Sequence, residues 1–525
     1  MTAALSGGEV VVRSLAEHGV ELVFGIPGTH NLPLYAHLEA YGLRHILPRH
    51  EQGAGHAADG YARVSGRPGV VITTAGPAAM NAATAAGQAQ SDSVPQLVIS
   101  PGMPRAHPKA QSGYLHEMRD QVGAMRGVAG HAVRVMGHDE LAAELASAFI
   151  AFRTERPGAR YIEVPLDLLA EAAPVALPAL QHTGPARPAP AAIAAAVDRL
   201  RTAERPGIVA GGGAAGAAHV LRALAERLGA PVLTTVNGKG TLPEDHALSL
   251  GARLNLPAAR AFLENCDVVL AVGTELAESD LWGPPLRLDG AVVRVDLDPR
   301  QAHMNQRAAV AVIGDAADAV GLIGEALPGE APSPDRADAV RGALDAEWAA
   351  GASAYTAWLP ALRAGLPPDA VIAGDNAMVC YHGAVGGLPV AAPRSFLFPT
   401  GFGTLGFAVP AAVGAALGAP ERPAAALSGD GGLMFSVAEL ASAAALGLPL
   451  PVVVFVNAGY GEIRNEMQDA GQPPVGVDLP VPDLPALARA LGCRGTAVED
   501  PDGLTAAVTE ALEAPVPTLI AVPEG

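Results

Sequence analysis

The sequence predicts an α/β protein of three doubly wound parallel-sheet domains, and three observations carry that prediction. Short runs rich in Val and Ile recur along the chain, separated by stretches of helical periodicity: Val70 to Thr74, Gln96 to Ser100, Tyr161 to Val164, Gly207 to Ala210, Val268 to Val272, Val292 to Asp296, Val371 to Gly374, Val452 to Val456 and Leu519 to Val522. Runs that are apolar at every position suit strands covered on both faces, as in parallel sheets flanked by helices. Two proline-rich stretches, PVALPALQHTGPARPAP (174–190) and LPGEAPSPDRAD (327–338), read as stiff linkers and divide the chain near 1–180, 190–328 and 340–525. The length of 525 residues, half of them apolar, then gives domains of ordinary size with ample cores.

Composition removes several function classes. A net charge of −19 argues against a nucleic-acid partner, whose phosphates need Lys and Arg. No uninterrupted apolar run approaches the ~18 residues of a membrane span. The opening MTAALSGGEVVVRSLAEHGV lacks the basic head and apolar block of a signal peptide and reads as an amphipathic helix, so the cytoplasm is the expected location. Cys266, Cys380 and Cys493 are widely spaced and form no CxxC pair, which suits buried filler rather than a disulfide framework or a zinc site. Lysine occurs only at Lys109 and Lys239, which leaves few candidates for Schiff-base chemistry.

The strongest chemical signal is the stretch from Ser428 to Gly461, SGDGGLMFSVAELASAAALGLPLPVVVFVNAGYG. A small apolar run ends in Gly429-Asp430-Gly431-Gly432, a helical pattern follows, and a second apolar run ends at Asn457. That is a βαβ unit, which puts both strand ends on the sheet edge where α/β proteins bind ligands. Asp430, Asn457 and a carbonyl from the loop after it offer oxygens to a hard cation such as Mg²⁺, which takes its remaining ligands from phosphates and water. The flanking glycines let backbone N–H groups approach those phosphates. The residues therefore read as a site for a metal-bridged diphosphate.

Taken together, GDGG, the helix, the strand and NAGYG resemble the diphosphate-binding motif of thiamine diphosphate enzymes, in the acetolactate synthase and 2-oxo acid decarboxylase group. The resemblance extends over almost the whole chain and implies a pyrimidine-binding, a middle and a diphosphate-binding domain, in that order. It implies thiamine diphosphate and Mg²⁺ as cofactors, with Asp430, Asn457 and the Gly459 carbonyl on the metal. Gly429, Gly431, Gly432 and Tyr460 would border the diphosphate. In the first third, HEQGAGHAADGYAR (50–63) is similar to the family's aminopyrimidine-binding motif, which makes Glu51 the carboxyl that trades a proton with the ring nitrogen. Gly25 to His30 resembles the substrate-facing loop after the first strand, with Thr29 and His30 as candidates for substrate contact and proton transfer. Thr74-Ala75-Gly76-Pro77 and Asn81 resemble the family's TSGPGxxN segment, with Ala78 in place of a glycine. In Tyr114 to Gln121, His116 and Glu117 are expected to form a proton relay. In the last third, Asn376 and Gly403 are expected to face the cofactor, and Leu405, a stiff apolar side chain among small ones, to be the wedge that bends it.

The glycine turn Gly211-Gly212-Gly213 does not match G-x-G-x-x-G, and FAD is not expected. The resemblance further implies a homodimer or dimer of dimers, Glu51 of one subunit serving cofactor held by Asp430 and Asn457 of another. The expected reaction is non-oxidative decarboxylation of a small 2-oxo acid. LRHILPRHEQGAGHAADGYARVSGRPGV, LHEMRDQ and GYGEIR are most similar to the bacterial 5-guanidino-2-oxopentanoate decarboxylases. A carboxylate at Glu117 or Glu462 would suit the guanidinium tail. An acetolactate synthase-like carboligase and a degenerate partner subunit stay open as alternatives. The departures at Ala78, Met80 and Ala458 leave room for a shifted substrate.

Overall fold

The apolar runs form three six-stranded sheets, all parallel within each sheet. In the computed structural model residues 4–108, 112–181, 183–328, 335–352 and 354–524 are described. Lys109, His182 of the first linker and 329–334 of the second lie outside the described residues. The first sheet runs Arg44–Ile46, Leu22–Gly25, Gly69–Ile72, Gln96–Gly102, Ala159–Pro165, His131–Arg134. Counted by chain order within the domain, that is 2-1-3-4-6-5. The third sheet, Phe396–Leu397, Val371–Gly374, Ala424–Gly429, Pro451–Val456, Thr518–Pro523, Arg494–Ala497, has the same order. The middle sheet runs Ser249–Gly251, Val232–Thr234, Pro206–Ala210, Val268–Val272, Val292–Asp296, Val310–Ile313, which is 3-2-1-4-5-6. In each order one point exists where successive connections leave in opposite directions, and ligands bind at the strand C-termini there.

Central strands follow the sequence closely; Val268–Val272, Val292–Asp296 and Val371–Gly374 coincide with their apolar runs. The edge strands Arg44–Ile46, His131–Arg134 and Arg494–Ala497 carry no such run because one side meets solvent or a loop, so charged residues are tolerated. Two details differ from the linker reading. Ala172–Pro174 pairs antiparallel with Ala4–Ser6, so the first linker begins with a strand. The helix Asp335–Gly351 spans the boundary near 340, and its Ala337 and Leu344 are buried in the cores of the middle domain.

The first and third domains meet helix against helix. Glu51–Ser65 lies on Ala408–Gly418 with small residues facing, and a Cβ at Gly414 would stand 1.8 Å from the Ala57 carbonyl oxygen. Beside this contact Arg63 ties all three domains together. Its guanidinium holds Asp59 at 2.6 Å and Asp92 at 2.7 Å, and donates to Asn237 of the middle domain at 2.8 Å and to the Phe398 carbonyl of the third at 3.4 Å.

Candidate functional site

Asp430 and Asn457 are neighbours because their strands are. Gly429 pairs with Phe455 in the parallel ladder, so each strand delivers the next residues to one edge. The helical stretch between them is broken, into Asp430–Leu433 and Glu439–Ala445, with Met434 and Phe435 turned outward between the pieces. The Asn457 backbone N–H donates to Asp430 Oδ1 at 3.3 Å, and Asn457 Oδ1 is buried without a hydrogen-bond partner. An orphaned buried acceptor normally costs about 1–3 kcal/mol. Beside a carboxylate, that acceptor fits a cation. Among the described residues no group of three or more His, Cys, Asp and Glu could hold a metal unaided. The donor set therefore fits a cation that a diphosphate also coordinates. Gly459 is required by a close approach: a Cβ there would lie 2.0 Å from the Val477 carbonyl oxygen. Ala458, which precedes it, sits in the left-handed region at φ 57°, a conformation costing about 1–2 kcal/mol outside glycine. At Gly431 a side chain would meet the Tyr460 ring, so the pocket floor at this point is backbone.

The loop after Phe398 closes over this edge. Asn376 Nδ2 donates to the carbonyls of Pro399 at 3.2 Å and Thr404 at 3.0 Å, so its amide braces the loop. Buried Asp375, at the end of Val371–Gly374, accepts from the N–H groups of Asn376 and Gly406, both at 3.0 Å, and from Ser428 Oγ at 3.2 Å. Burial, only partly offset by these donors, pushes its carboxyl up to about 6. Gly403, at φ 66°, and Gly406, at φ 78°, supply the left-handed turns on either side of half-buried Leu405. The Leu405 carbonyl accepts from Gln52 Nε2 at 3.2 Å, next to Glu51 in sequence.

In the first domain, Glu51 is the first residue of its helix, and His50 caps that helix by accepting the Gln52 N–H at 3.1 Å. Asn81 Nδ2 donates to Glu51 Oε2 at 2.9 Å, so the two predicted residues meet. His30 and His116 also meet, ring edge to face at 4.9 Å, each with Nδ1 buried and unpaired. Burial, and then the neighbouring His116, hold the His30 imidazole below its usual range. The Thr74 hydroxyl is buried and unpaired beside Gly28, and Thr29 is exposed.

The expected relay between His116 and Glu117 is not formed. The Glu117 carboxylate accepts the N–H groups of Gly113 at 2.9 Å and of Ser112 and Tyr114 at 3.2 Å, so it closes a loop while the His116 ring faces His30. His116 has φ 60°, which turns the two successive side chains apart. Glu462 stands near the start of the helix Gly461–Asp469 and pairs with His382 Nε2 at 2.8 Å; that hydrogen bond raises the His382 imidazole. Both are about one-third exposed, His382 at 36% and Glu462 at 34%. His382 lies on the π-helical turn Val379–Ala384, a local widening common at functional sites.

Three contributors carried no signal in the sequence. Buried Glu439 of the third domain accepts the backbone N–H groups of Arg49 and His50, both at 3.0 Å, at the entry to the Glu51 helix. His382 and Glu524 likewise touch residues far away in sequence, Glu462 at 80 residues and Tyr355 at 169. Gln121, by contrast, lies inside a segment already singled out; its side chain accepts the Gly76 N–H at 2.6 Å. Among the described residues no hydrogen bond or ion pair links Glu51, Thr74 or Asn81 to Asp430 or Asn457. In the middle domain, Gly211, Gly212, Gly213 and Gly273 border a cavity of about 480 Å³ at the switch point. Asp280 lines it, pushed up to about 7 by burial. Among the described residues no helix is long and apolar enough to cross a membrane.

Comparison with known proteins agrees with this geometry. Three family models match in order: thiamine pyrophosphate enzyme, N-terminal TPP binding domain, over residues 5–124; the central domain over 193–323; and the C-terminal TPP binding domain over 376–522. The probable 2-ketoarginine decarboxylase AruI of Pseudomonas aeruginosa is 43% identical, across 95% of this chain and 90% of that protein. The acetolactate synthase large subunit of Parasynechococcus marenigrum is 35% identical, across 99% and 87%. The acetolactate synthase of Mycobacterium avium is 33% identical, across 94% and 83%. On the matched models, the whole-length relatives and the two half-sites, the chain belongs to the thiamine pyrophosphate enzyme family.

Proposed function

We propose that this chain catalyses the Mg²⁺- and thiamine diphosphate-dependent decarboxylation of 5-guanidino-2-oxopentanoate to an aldehyde and CO₂, in the cytoplasm. The observation that carries the substrate is Glu462. It is a partly exposed carboxylate, paired among the described residues with His382 alone, on the helix that follows the Asn457 loop. A carboxylate there suits a guanidinium, which it can bind through two parallel hydrogen bonds. Glu117, the other carboxylate considered for that tail, is occupied by its own loop. The name of the Pseudomonas relative points to the same keto acid.

The residues divide the work as follows. Asp430, Asn457 and the Gly459 carbonyl would hold Mg²⁺, with Gly429, Gly431, Gly432 and Tyr460 around the diphosphate. Bound thiamine diphosphate supplies a carbon nucleophile for the ketone and an electron sink that lets CO₂ leave. Glu51, fixed through Oε2 by Asn81, would be the carboxyl that faces the aminopyrimidine ring and holds the exchangeable proton there. His30 and His116, with His30 held neutral near pH 7, move protons at the substrate beside Thr29 and Thr74. Leu405 supplies the apolar wedge, with Gly403 and Asn376 shaping the loop that carries it.

Active sites between two copies of the chain suit two observations. Among the described residues no hydrogen bond or ion pair joins Glu51 to Asp430 within one chain, and Phe402, Met434, Phe435 and Ile463 expose about half their surface near the third-domain edge. The acetolactate synthase relatives keep a carboligase as the second reading.

The test is CO₂ release from purified protein with Mg²⁺ and thiamine diphosphate, offered 5-guanidino-2-oxopentanoate, branched 2-oxo acids, benzoylformate and pyruvate. Fast release from the guanidino acid, lost in Glu51→Gln, is expected. Glu462→Gln should lower kcat/KM for that substrate about 10- to 100-fold, the worth of a hydrogen bond to a charged group, while sparing apolar 2-oxo acids. Acetolactate from pyruvate, with no turnover of the guanidino acid, would move the assignment to the carboligase.

A further inference from the structure

An asparagine that ligates a metal has to present the right end of its amide, since its oxygen binds a cation and its NH₂ does not. Asn457 has that choice to make. Its Oδ1 is buried and unpaired, and its backbone N–H is already given to Asp430. The side-chain amide touches the carboxylate of Glu524. A carboxylate only accepts hydrogen bonds, so the contact takes Asn457 Nδ2 and leaves Oδ1 turned toward Asp430.

Glu524 is itself held from three sides. Its backbone N–H donates to the Val456 carbonyl at 3.1 Å, the strand pairing of Val456 with Pro523 fixes its approach, and the Tyr355 hydroxyl donates to Oε1. Tyr355 in turn packs edge-on against Phe455 at 5.8 Å, two residues before Asn457. The neighbourhood also contains Asp430, His382 and Glu462, which act on Glu524 or Tyr355 through space. Against that negative surrounding, retaining a further carboxylate is costly unless its acceptor character is used.

We propose that Glu524 is a positioning residue for the metal site: through Asn457 Nδ2 it locks the amide so that Oδ1 faces the cation. The inference rests on the reading of Asp430 and Asn457 as the Mg²⁺ site. Partners one step removed from a metal ligand typically govern affinity by 10- to 100-fold on removal. The same exchange at 524 should matter only while position 457 has two unlike ends.

The experiment is a calorimetric titration of Mg²⁺ into the full-length protein saturated with thiamine diphosphate, for four proteins: wild type, Glu524→Gln, Asn457→Asp and the double variant. In the wild-type background, glutamine at 524 can donate as well as accept, so the amide is free to turn and Mg²⁺ affinity is expected to fall about ten-fold. With a carboxylate at 457 both ends are oxygens, and glutamine at 524 becomes a donor to it. There the same exchange is expected to leave affinity unchanged or improved. Equal weakening in both backgrounds, or no weakening in the first, overturns the proposal. A role confined to holding the strand end would weaken both alike. If Glu524→Gln proves unstable, Tyr355→Phe, which removes a support of Glu524 without touching Asn457, should give a several-fold loss in the same direction, and wild-type affinity there overturns it. Absence of Mg²⁺ binding by the wild type would instead remove the metal-site reading beneath it.

Discussion

Asp375 makes a pH-dependent prediction that can be worked from its surroundings. The carboxyl is 1% exposed and lies at the start of Ala408–Gly418, among N–H groups and the Ser428 hydroxyl. Burial outweighs the pull of these donors and raises the carboxyl from 3.8 to about 6. Because the folded value is the higher one, the folded chain binds the proton more tightly. Its stabilising contribution is complete below about pH 4 and is lost as pH rises through about 6. The shift of roughly two pH units corresponds to about 3 kcal/mol at neutral pH, at 1.36 kcal/mol per unit. Asp375→Asn removes the titration while keeping an acceptor oxygen for the Gly406 and Asn376 N–H groups. The stability of wild type relative to the variant should therefore fall by up to about 3 kcal/mol between pH 4 and pH 7. Three tryptophans allow a local readout, since Trp358 packs edge-on against Phe455 at 6.1 Å in the third domain. In a Trp282→Phe, Trp348→Phe background, denaturant midpoints followed by Trp358 fluorescence report that domain. A wild-type-to-variant difference that stays flat from pH 4 to pH 7 would refute the reasoning.

Three further perturbations address how the domains hold the site. Glu439→Ala should expose about 1–3 kcal/mol for each of the two N–H groups it leaves unpaired and accelerate hydrogen exchange at Arg49 and His50; Glu439→Gln, with one acceptor oxygen, should restore most of the protection. Arg63→Met strands Asp59 and Asp92, whose side chains are 0% and 2% exposed, and should lower stability by about 3–5 kcal/mol in thermal unfolding. Gly414→Ala puts a methyl group 1.8 Å from the Ala57 carbonyl oxygen; a loss of about 1–3 kcal/mol and a protease-sensitive junction between the first and third domains are expected, with full protection arguing against the close helix packing.

What could be read in the sequence was what is local to a strand end. Asp430 and Asn457 stand at the tips of two apolar runs one crossover apart, and the ladder pairing Gly429 with Phe455 is the direct consequence of that spacing. Glu51 and Asn81 are 30 residues apart and lie in recognisable segments, so their meeting was also within reach. Glu439 was not, because the N–H groups it accepts are 389 and 390 residues away, and a buried Glu on a short helix has no periodic signature. The pairing of His382 with Glu462 spans 80 residues and depends on a π-helical turn, which widens the helix and which no residue spacing announces. Adjacent residues misled for a related reason. His116 and Glu117 invited a relay, but one left-handed residue sends the two side chains apart.

The shared strand order of the first and third domains explains why the site residues fall where they do. In a 2-1-3-4-6-5 sheet the connections diverge between the first and third strands, so the loops after those two strands share one crevice. In the first domain these loops carry Thr29 and His30 after Leu22–Gly25, and Thr74 after Gly69–Ile72. In the third they carry Asp375 and Asn376 after Val371–Gly374, and Asp430 after Ala424–Gly429. One topology thus presents hydroxyl and imidazole groups from one domain and carboxylate and amide groups from the other. The middle sheet, ordered 3-2-1-4-5-6, diverges between Pro206–Ala210 and Val268–Val272, and a cavity opens there between Gly211 and Gly273 and residues of the other two domains, Asp92 and Thr400 among them. The sheet order sets where each crevice opens, and the loop residues set which groups line it. Exchanging loop residues at fixed strand order should accordingly change substrate or metal preference while leaving each sheet intact.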